Sequence, residues 1–374
     1  MFVGTRPEVI KMMPIERLLR QKSEHFELIV CSTGQHRELF HQVSESLEFQ
    51  VDINLDLMLP KQRLSELHAR IISGADKTIL DISPDLVLVH GDTTTALASA
   101  ISSFYNRVPV AHVESGLRTH NFDSPFPEEF NRQSISRLSR YNFAPTSKNR
   151  MNLLKEGIDE DKIFVTGNTV VDALRLVCGV LDTNEYLSGK LQIRLRELVG
   201  FDWISEQFLL VTGHRRENFG LGFEEICFAL KDIAKRNPRL HIIYPVHLNP
   251  NVRQPVSAIL SKIENIHLIE PLDYLEFVYL MRQCAFILTD SGGIQEEAPT
   301  LGKRVLLMRE NSERGEALAL GQSKLVGPNR AEIVIETERM LGENPTNRTI
   351  PVVKNPYGDG FAAQRIVSTL IGKL

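Results

Sequence analysis

Residues 285–299 read AFILTDSGGIQEEAP and are the most informative stretch of this chain. Its apolar start is typical of a buried parallel strand, and a serine and two glycines then open a helix. Free backbone N–H groups and the positive end of the helix dipole attract phosphate there, and glycines let its oxygens approach closely. Glu296 and Glu297, about one turn further on, can accept hydrogen bonds from ribose hydroxyls. The stretch suggests a bound nucleotide diphosphate, but an ordinary strand–helix turn has the same composition, so both interpretations stay open.

Short apolar runs alternate with helix-length amphipathic segments along the chain, which is typical of parallel sheets covered by helices on both faces. Two of the helix-length segments are residues 93–106 and 223–236. The apolar runs, each predicted to be a strand, are residues 28–30, 86–89, 110–113, 163–165, 209–211, 242–244, 266–269, 286–288 and 305–308. The predicted class is therefore α/β.

The length of the chain, 374 residues, favours two domains of ordinary size. Residues 182–206 are polar and contain Gly189 and Gly200, so we interpret them as the passage between two α/β domains. We expect Rossmann-like, doubly wound domains over residues 1–172 and 173–360, the second of which binds the nucleotide. Two such sheets facing each other leave a central cleft at the carboxyl ends of their strands.

Composition narrows the possible functions. Apolar residues make up 42% and charged residues 24% of the chain, as in soluble globular proteins, and a net charge of −4 gives no reason to expect nucleic-acid binding. No apolar run approaches the ~18 residues of a membrane span, and the N-terminus lacks the usual layout of a signal peptide. The cysteines form no CxxC pair and predict buried free thiols in a reducing cytoplasm. They are Cys31, Cys178, Cys227 and Cys284.

Acid–base residues follow the predicted strands. Asp92, Glu114 and His214 each come shortly after a strand, and Glu128 lies in a proline-rich loop before a helix. Each has a structural alternative: Asp92 as a helix N-cap, Glu128 as an acidic first-turn residue, and His214 as a partner of a backbone carbonyl. Because the carboxyl ends of parallel strands meet in space, we expect these four residues to line one cleft with Ser291.

The N-terminus carries a second candidate phosphate site. Gly4 allows a tight turn, Pro7 suits a helix start, and Arg6 can bind phosphate with two N–H groups. Lys11 lies a little over one turn further on; alternatively, Arg6 and Lys11 form a solvated basic face. The sequence has no P-loop, no GxGxxG motif with a later ribose-binding acid, and no DxD or histidine cluster of metal-ligand spacing. We therefore expect arginine and backbone N–H groups, without a metal or cofactor, to balance the diphosphate charge.

A series of motifs, in order along the chain, carries a resemblance to a known family. The motifs are GTRPE (4–8), TGQHR (33–37), HGDTTT (90–95), HVESGLR (112–118), PEEFNR (127–132), GNTVVD (167–172), TGHRRE (212–217), PVHLNP (245–250), DSGGIQEE (290–297) and NPYGDG (355–360). They resemble those of the bacterial non-hydrolysing UDP-N-acetylglucosamine 2-epimerases. The resemblance implies the fold of the GT-B glycosyltransferases, a homodimer, and interconversion of UDP-GlcNAc and UDP-ManNAc for surface polysaccharides. It also implies a last helix, within residues 361–374, that packs back on the N-terminal domain.

The resemblance further implies roles for individual residues. The catalytic group is Asp92, Glu114, Glu128 and His214. The substrate contacts are Arg6, Lys11, Arg132, Asn168, His214, Phe277 at the uracil, Ser291, Gly292, Gly293, Glu297 at the ribose, and Arg314. A regulatory pocket for a second, activating UDP-GlcNAc is formed by Gln35, His36, Arg70, Arg215 and His247. Alternatively, the residues of that pocket only line the cleft wall.

Two positions depart from the family pattern. Glu38 stands where some members carry a glutamine in the regulatory pocket. Members also usually carry several residues before the FVGTRPE motif, which form most of the first strand. We therefore expect that the start at Met1 is truncated or misassigned.

The reaction itself constrains the mechanism. The C2 proton of the sugar is not next to a carbonyl, so a carboxylate alone is too weak a base to remove it. Ionisation of the anomeric C–O bond acidifies that proton, and anti elimination then gives UDP and 2-acetamidoglucal. Syn re-addition of UDP, with a proton delivered to the opposite face, inverts C2. Acid–base groups are therefore needed on both faces of the ring.

Three other functions are weighed against this one. A hydrolysing epimerase releases UDP and free ManNAc, but it typically has alanine in place of Pro7. A retaining glycosyltransferase of the same fold lacks this carboxylate set. A nucleotide-sugar sensor without turnover needs none of the four acid–base residues.

Overall fold

The structure is a computed structural model, and it divides the chain into two compact units. The first unit is Met1–Leu176 with Tyr357–Leu374, and the second is Val177–Pro356. The residues that the structure describes are 1–34, 48–59, 62–343 and 355–373. Every strand pair in both units is parallel, which confirms the predicted α/β class.

The strands of the first unit form a three-stranded and a four-stranded parallel sheet. They are β1 (Phe2–Val3), β2 (Cys31–Ser32), β3 (Ile53–Asn54), β4 (Val87–His90), β5 (Val110–Val113), β6 (Tyr141–Ala144) and β7 (Ile163–Val165). The strand orders are β1-β2-β3 and β4-β5-β6-β7, and β1 contacts β4. The direction of winding therefore reverses between β1 and β4, which is the arrangement of a Rossmann-like fold.

The helices of the first unit connect these strands. They are α1 (Arg6–Gln21), α2 (Leu64–Ile82), α3 (Thr94–Tyr105), α4 (Glu128–Leu138), α5 (Ser147–Lys155), α6 (Thr169–Thr183), which continues into the second unit, and α14 (Ala362–Ile371). The last helix, α14, packs against α1. The N–H of Ala363, in its first turn, donates to Asp172 Oδ1 at 2.8 Å. Burial raises the pKa of this carboxyl group to about 6.

The second unit contains one six-stranded parallel sheet. Its strands are β8 (Phe208–Thr212), β9 (His241–Pro245), β10 (Ile266–Ile269), β11 (Ile287–Thr289), β12 (Val305–Leu307) and β13 (Ser323–Leu325). The strand order is β10-β9-β8-β11-β12-β13, so the winding reverses between β8 and β11. Ligands of doubly wound sheets bind at such a reversal, beyond the carboxyl ends of the strands.

The helices of the second unit include one that the sequence analysis overlooked. They are α7 (Glu185–Val199), α8 (Leu221–Arg236), α9 (Pro250–Leu260), α10 (Tyr274–Gln283), α11 (Gly292–Glu297), α12 (Gly315–Ala319) and α13 (Arg330–Glu343). Helix α7 lies within residues 182–206, the predicted passage between the two domains, where no helix was predicted. Leu191, Leu195 and Val199 are buried at four-residue spacing on one face of it. Gly200 ends the helix in the left-handed conformation, with φ of 76°.

Most predicted strands agree with the structure to within one residue at each end, but four points differ. Residues 28–30 are not a strand, because β2 begins at Cys31, where β1 pairs with it in register Phe2 to Cys31. The strands β3, β6 and β13 were not predicted. They have two to four residues each, and the apolar content of β3 and β13 is too low to distinguish them from loops, whereas β6 is mostly apolar and buried and was overlooked.

Two further findings concern composition. Within the described residues, no helix is long and apolar enough to cross a membrane. All four cysteines are free, and three are buried as predicted, but Cys178 is only partly buried. Burial raises the pKa of Cys31 to about 11 and that of Cys227 to about 12, so these thiols are inert.

Candidate active site

A buried glutamate organises the winding reversal of the first unit. The carboxylate of Glu8 accepts hydrogen bonds from the N–H groups of Gly4 at 3.0 Å and Thr5 at 2.7 Å. Its second oxygen accepts a bond from the Thr93 hydroxyl at 2.7 Å. Burial raises the pKa of Glu8, and these donors oppose that rise. One side chain therefore fixes the loop after β1, which carries Arg6, against the loop after β4.

Glu114 follows β5 and is the most enclosed of the three predicted catalytic carboxylates, at 8% exposure. Its backbone has φ of 65°, an uncommon conformation that turns the chain sharply after the strand. Oε2 forms an ion pair with Lys11 and accepts a hydrogen bond from Asn168 Nδ2 at 2.8 Å. The structure thus brings together three residues of the predicted site. The alternative of a solvated basic face is wrong for Lys11, which is 7% exposed.

Two buried histidines surround this carboxylate, and sequence reasoning assigned them no role. His90 Nε2 lies 3.8 Å from Glu114 Oε2, and His112 Nε2 contacts the carbonyl oxygen of Gly91 at 2.7 Å. Burial lowers the pKa of each histidine to about 4; the Glu114 carboxylate opposes the shift at His90, and the contact with the Gly91 carbonyl opposes it at His112. Both imidazoles are therefore neutral at pH 7, and Lys11 is the cation that balances the carboxylate.

Asp92 forms the second carboxylate site, next to Glu114 in the order of the strands. Its Oδ2 accepts a hydrogen bond from Arg132 Nη2 at 2.6 Å, and its backbone carbonyl accepts one from Asn131 Nδ2 at 2.8 Å. The alternative that Asp92 caps a helix is wrong, because Thr93 is the N-cap of α3 and accepts from the N–H of Ala96 at 3.0 Å. Asp92 is partly exposed, so a ligand can reach it.

Glu128 and Arg6 both occupy the first position of a helix. Glu128 begins α4, and Arg6 begins α1; both side chains are partly exposed. Glu128 therefore does lie in an acidic first turn, as the structural alternative proposed. That position does not exclude chemistry, because the side chain remains accessible.

The second unit places His214 beside a buried aspartate at its own winding reversal. His214 follows β8, and its Nδ1 lies 3.5 Å from Asp290 Oδ1. The imidazole also stacks on His247, with ring centroids 5.7 Å apart. Burial lowers the pKa of His214, and Asp290 opposes this shift. The partner of the ring is thus a carboxylate, whereas the structural alternative expected a backbone carbonyl.

The start of α11 lies against an arginine that is held by two carboxylates. Ser291 is the N-cap of α11. Arg314 Nε donates to Glu296 Oε1 at 2.8 Å, and its Nη1 contacts Glu313. A methyl group on Gly292 would lie 2.8 Å from the Arg314 Cζ, so only glycine lets the guanidinium approach. At Gly293 the nearest atom to such a methyl group is Ser291 Oγ, at 4.0 Å.

The two neighbouring glutamates of α11 have different partners. Glu296 binds Arg314, whereas Glu297 Oε1 accepts a hydrogen bond from the Tyr274 hydroxyl at 2.6 Å. Tyr274 and Phe277 lie three residues apart on α10, and Phe277 is partly exposed. The two candidates for a ribose contact therefore differ, because Glu296 forms an ion pair with Arg314 whereas Glu297 accepts a hydrogen bond from Tyr274.

Some residues of the predicted regulatory pocket can be located. Arg70 lies on α2 and contacts Gln62. Arg215 and His247 belong to the second unit, where Arg215 donates its backbone N–H to Asp290 Oδ2 at 2.8 Å. Gln35, His36 and Glu38 lie outside the described residues. The pocket as a whole stays a prediction.

Sequence reasoning missed three organising residues, namely Glu8, Asp290 and Tyr274. Glu8 belongs to the GTRPE motif, and Asp290 directly follows a strand, so position alone could have singled out both. Tyr274 has no comparable signal, since its contact with Glu297 spans 23 residues.

The chain is similar to known proteins over nearly its whole length. A family model described as UDP-N-acetylglucosamine 2-epimerase matches residues 19–371. The UDP-N-acetylglucosamine 2-epimerases of Salmonella typhimurium and Yersinia pestis are 51% and 50% identical to it, over 98% of this chain and 96% of theirs. The crystal structure of UDP-GlcNAc 2-epimerase from Neisseria meningitidis bound to UDP-GlcNAc is 44% identical, with a TM-score of 0.93, and covers 99% of this chain and 98% of that one. The chain therefore belongs to the UDP-N-acetylglucosamine 2-epimerase family, which confirms the resemblance drawn from its motifs.

Proposed function

We propose that the protein interconverts UDP-GlcNAc and UDP-ManNAc without hydrolysing them. In this proposal the first unit supplies the three catalytic carboxylates, and the second unit supplies the catalytic His214 and binds the UDP part. The observation that carries the proposal is the Glu114 carboxylate, which is buried at a strand end and held by Lys11 and Asn168. A carboxylate so enclosed has a fixed direction and little competing water, as a base at a carbon atom requires.

The reaction begins with the leaving group. The anomeric C–O bond breaks, and its electron pair stays on the β-phosphate oxygen of UDP. Arg6, Ser291, Gly292 and Gly293 would contact the diphosphate, and the growing negative charge strengthens these contacts. Because the contacts are stronger in the transition state than in the ground state, they accelerate bond cleavage.

Proton transfer at C2 completes the elimination. A carboxylate removes the C2 proton, the C–H electron pair forms the C1–C2 double bond, and the products are UDP and 2-acetamidoglucal. In the return step, a protonated group on the opposite face delivers a proton to C2 while the UDP oxygen attacks C1. Asp92, Glu114 and Glu128 would supply these transfers, which accounts for several carboxylates in one unit.

Contacts within the second unit support the nucleotide contacts of this proposal. Glu297 would accept a hydrogen bond from the ribose, with Tyr274 fixing its orientation at 2.6 Å. Phe277, three residues along the same helix from Tyr274, would stack on the uracil. His214 and Arg314 would approach the diphosphate, and Arg132, paired with Asp92, would contact the sugar end of the substrate.

Proton NMR of the sugar tests this function directly. The purified protein is incubated with UDP-GlcNAc in D₂O, and we expect UDP-ManNAc with deuterium at C2, without an added nicotinamide. Traces of 2-acetamidoglucal and UDP should appear on long incubation, since the neutral intermediate can escape. Free ManNAc as the main product would show a hydrolysing epimerase, and product that keeps only its original C2 hydrogen at full turnover would refute the elimination.

Four further properties belong to the same proposal. The protein would act as a homodimer in the cytoplasm and supply UDP-ManNAc for surface polysaccharides. It would also bind a second UDP-GlcNAc as an activator, through Arg70, Arg215 and His247 among other residues. Sedimentation of the purified protein measures the first property, and initial rates at varied UDP-GlcNAc measure the last.

A further inference from the structure

Asp290 has no solvent exposure and contacts the loop after β8 through one of its two oxygens. Oδ2 accepts hydrogen bonds from the N–H groups of His214 at 2.9 Å and Arg215 at 2.8 Å. The side-chain nitrogen of Asn218 lies 3.4 Å from the same oxygen. These donors fix Oδ2 and, through it, the backbone of the loop.

The other oxygen has different surroundings. Asp290 Oδ1 is buried and makes no hydrogen bond within the described residues, but it lies 3.5 Å from His214 Nδ1. A buried carboxylate oxygen without a donor is unfavourable, so it favours the form of the imidazole that carries a proton on Nδ1. Such contacts are often slightly long without substrate and shorten in the reacting complex.

We propose that Asp290 is a positioning residue for His214, which it holds in the Nδ1–H tautomer with the Nε2 lone pair turned away from Asp290. The inference rests on the proposed function, in which His214 meets the substrate. In that tautomer, Nε2 can accept a hydrogen bond or a proton from the substrate. The resulting imidazolium would be stabilised by the Asp290 carboxylate on its other side.

The surroundings of the ring support this arrangement. Burial lowers the pKa of His214, so the neutral imidazole, for which the tautomer matters, is favoured at pH 7. His247 stacks on the ring at 5.7 Å and limits its rotation. The side chain of His214 is still 39% exposed, which leaves Nε2 accessible to a ligand.

The substitution Asp290→Asn tests the proposal without removing the loop contacts. The two backbone donors require an oxygen at the position of Oδ2, so the amide nitrogen must replace Oδ1. Its N–H then points at His214 Nδ1, which must accept, and the imidazole proton moves to Nε2. We expect kcat to fall on the order of 10²–10⁴-fold with KM nearly unchanged, because the reacting nitrogen has the wrong protonation.

The tautomer can be measured independently of activity. Long-range ¹H–¹⁵N correlation spectra distinguish Nδ1–H from Nε2–H imidazoles, and the signals that disappear in His214→Gln identify His214. We expect the Nδ1–H form in the unsubstituted protein and the Nε2–H form in Asp290→Asn. The same tautomer in both proteins would overturn the proposal, even if His214 proves unnecessary for turnover.

A double variant separates positioning from a purely structural role. If Asp290 acts through His214, Asp290→Asn combined with His214→Gln should be no slower than His214→Gln alone. Losses that multiply would overturn the proposal. A large increase in KM with kcat retained would also overturn it, since that result indicates a displaced loop. If His214→Gln is fully active, the proposed catalytic role of His214 fails, and the spectra alone decide the tautomer.

Discussion

Gly292 and Gly293 are neighbours at the start of α11, yet an added methyl group meets different surroundings at the two positions. At Gly292 it would lie 2.8 Å from the Arg314 Cζ and closer still to a terminal nitrogen of that side chain. At Gly293 the nearest atom is 4.0 Å away, which is an ordinary contact. The substitutions Gly292→Ala and Gly293→Ala therefore form a matched pair.

The magnitude follows from what holds Arg314 in place. The guanidinium is bound by Glu296 at 2.8 Å and by Glu313, and the residue is 7% exposed. It can avoid the methyl group only by straining these ion pairs. We expect Gly292→Ala to lower the free energy of unfolding by about 1–3 kcal/mol, the usual range for an overpacked site. Gly293→Ala should be neutral or raise it by up to about 1 kcal/mol, because alanine is the better helix former.

The only tryptophan provides a local assay. Trp203 belongs to the second unit, is 1% exposed and packs edge-on against Phe208. Its fluorescence during urea unfolding therefore follows the unit that contains α11, and the midpoint measures the change. Added UDP should protect both variants less than the unsubstituted protein, since both glycines are proposed to face the diphosphate. Equal midpoints for Gly292→Ala and the unsubstituted protein, or an equal loss in Gly293→Ala, would refute the reasoning.

Three other expectations concern catalysis, acid stability and activation. Glu114→Gln and Asp92→Asn should each lower kcat by ~10²–10⁴-fold with UDP-GlcNAc binding retained, and Arg6→Ala should also slow turnover. A coupled assay measures kcat, and a titration measures the binding of UDP-GlcNAc. Near-normal turnover of a variant would exclude the substituted residue from the mechanism. Acid should destabilise the first unit, because burial holds the pKa of His90 and His112 at about 4, against 6.5 when unfolded. Between these two pKa values the histidines are protonated in the unfolded chain but neutral in the folded one. The free energy of unfolding should therefore fall by up to roughly 3 kcal/mol per histidine as the pH drops from about 6.5 to about 4. Urea midpoints that do not move in this pH window would contradict the expectation. UDP-ManNAc alone should be converted slowly until UDP-GlcNAc is added, whereas full initial rates without it would exclude the activating pocket.

Local patterns in the sequence predicted most of the strands. Continuous apolar runs such as residues 86–89 mark strands because a parallel strand is buried on both faces. A strand with a short apolar run was not predicted, as β3 shows, which has only two residues. Helix α7, whose single buried stripe lies among many polar residues, was not predicted either.

Sequence position also predicted which residues belong to the candidate site, because strand ends meet at the edge of a parallel sheet. The position of a residue in the sequence does not show which groups its side chain contacts. Lys11 and Glu114 pair across 103 positions, and His214 and Asp290 meet across 76. The periodicity of apolar residues does not predict such contacts, since they depend on the order of the strands in the sheet.

The glutamates of α11 show the same division on a smaller scale. By sequence, Glu296 and Glu297 are equivalent candidates for a ribose contact. Successive residues of a helix point about 100° apart, so one reaches Arg314 and the other reaches Tyr274. The family, the class of fold and the motifs of the candidate site can be read from the sequence alone. Which charged groups pair and which side chains stay accessible depends on the tertiary structure, because pairing and burial involve neighbours that are distant along the chain.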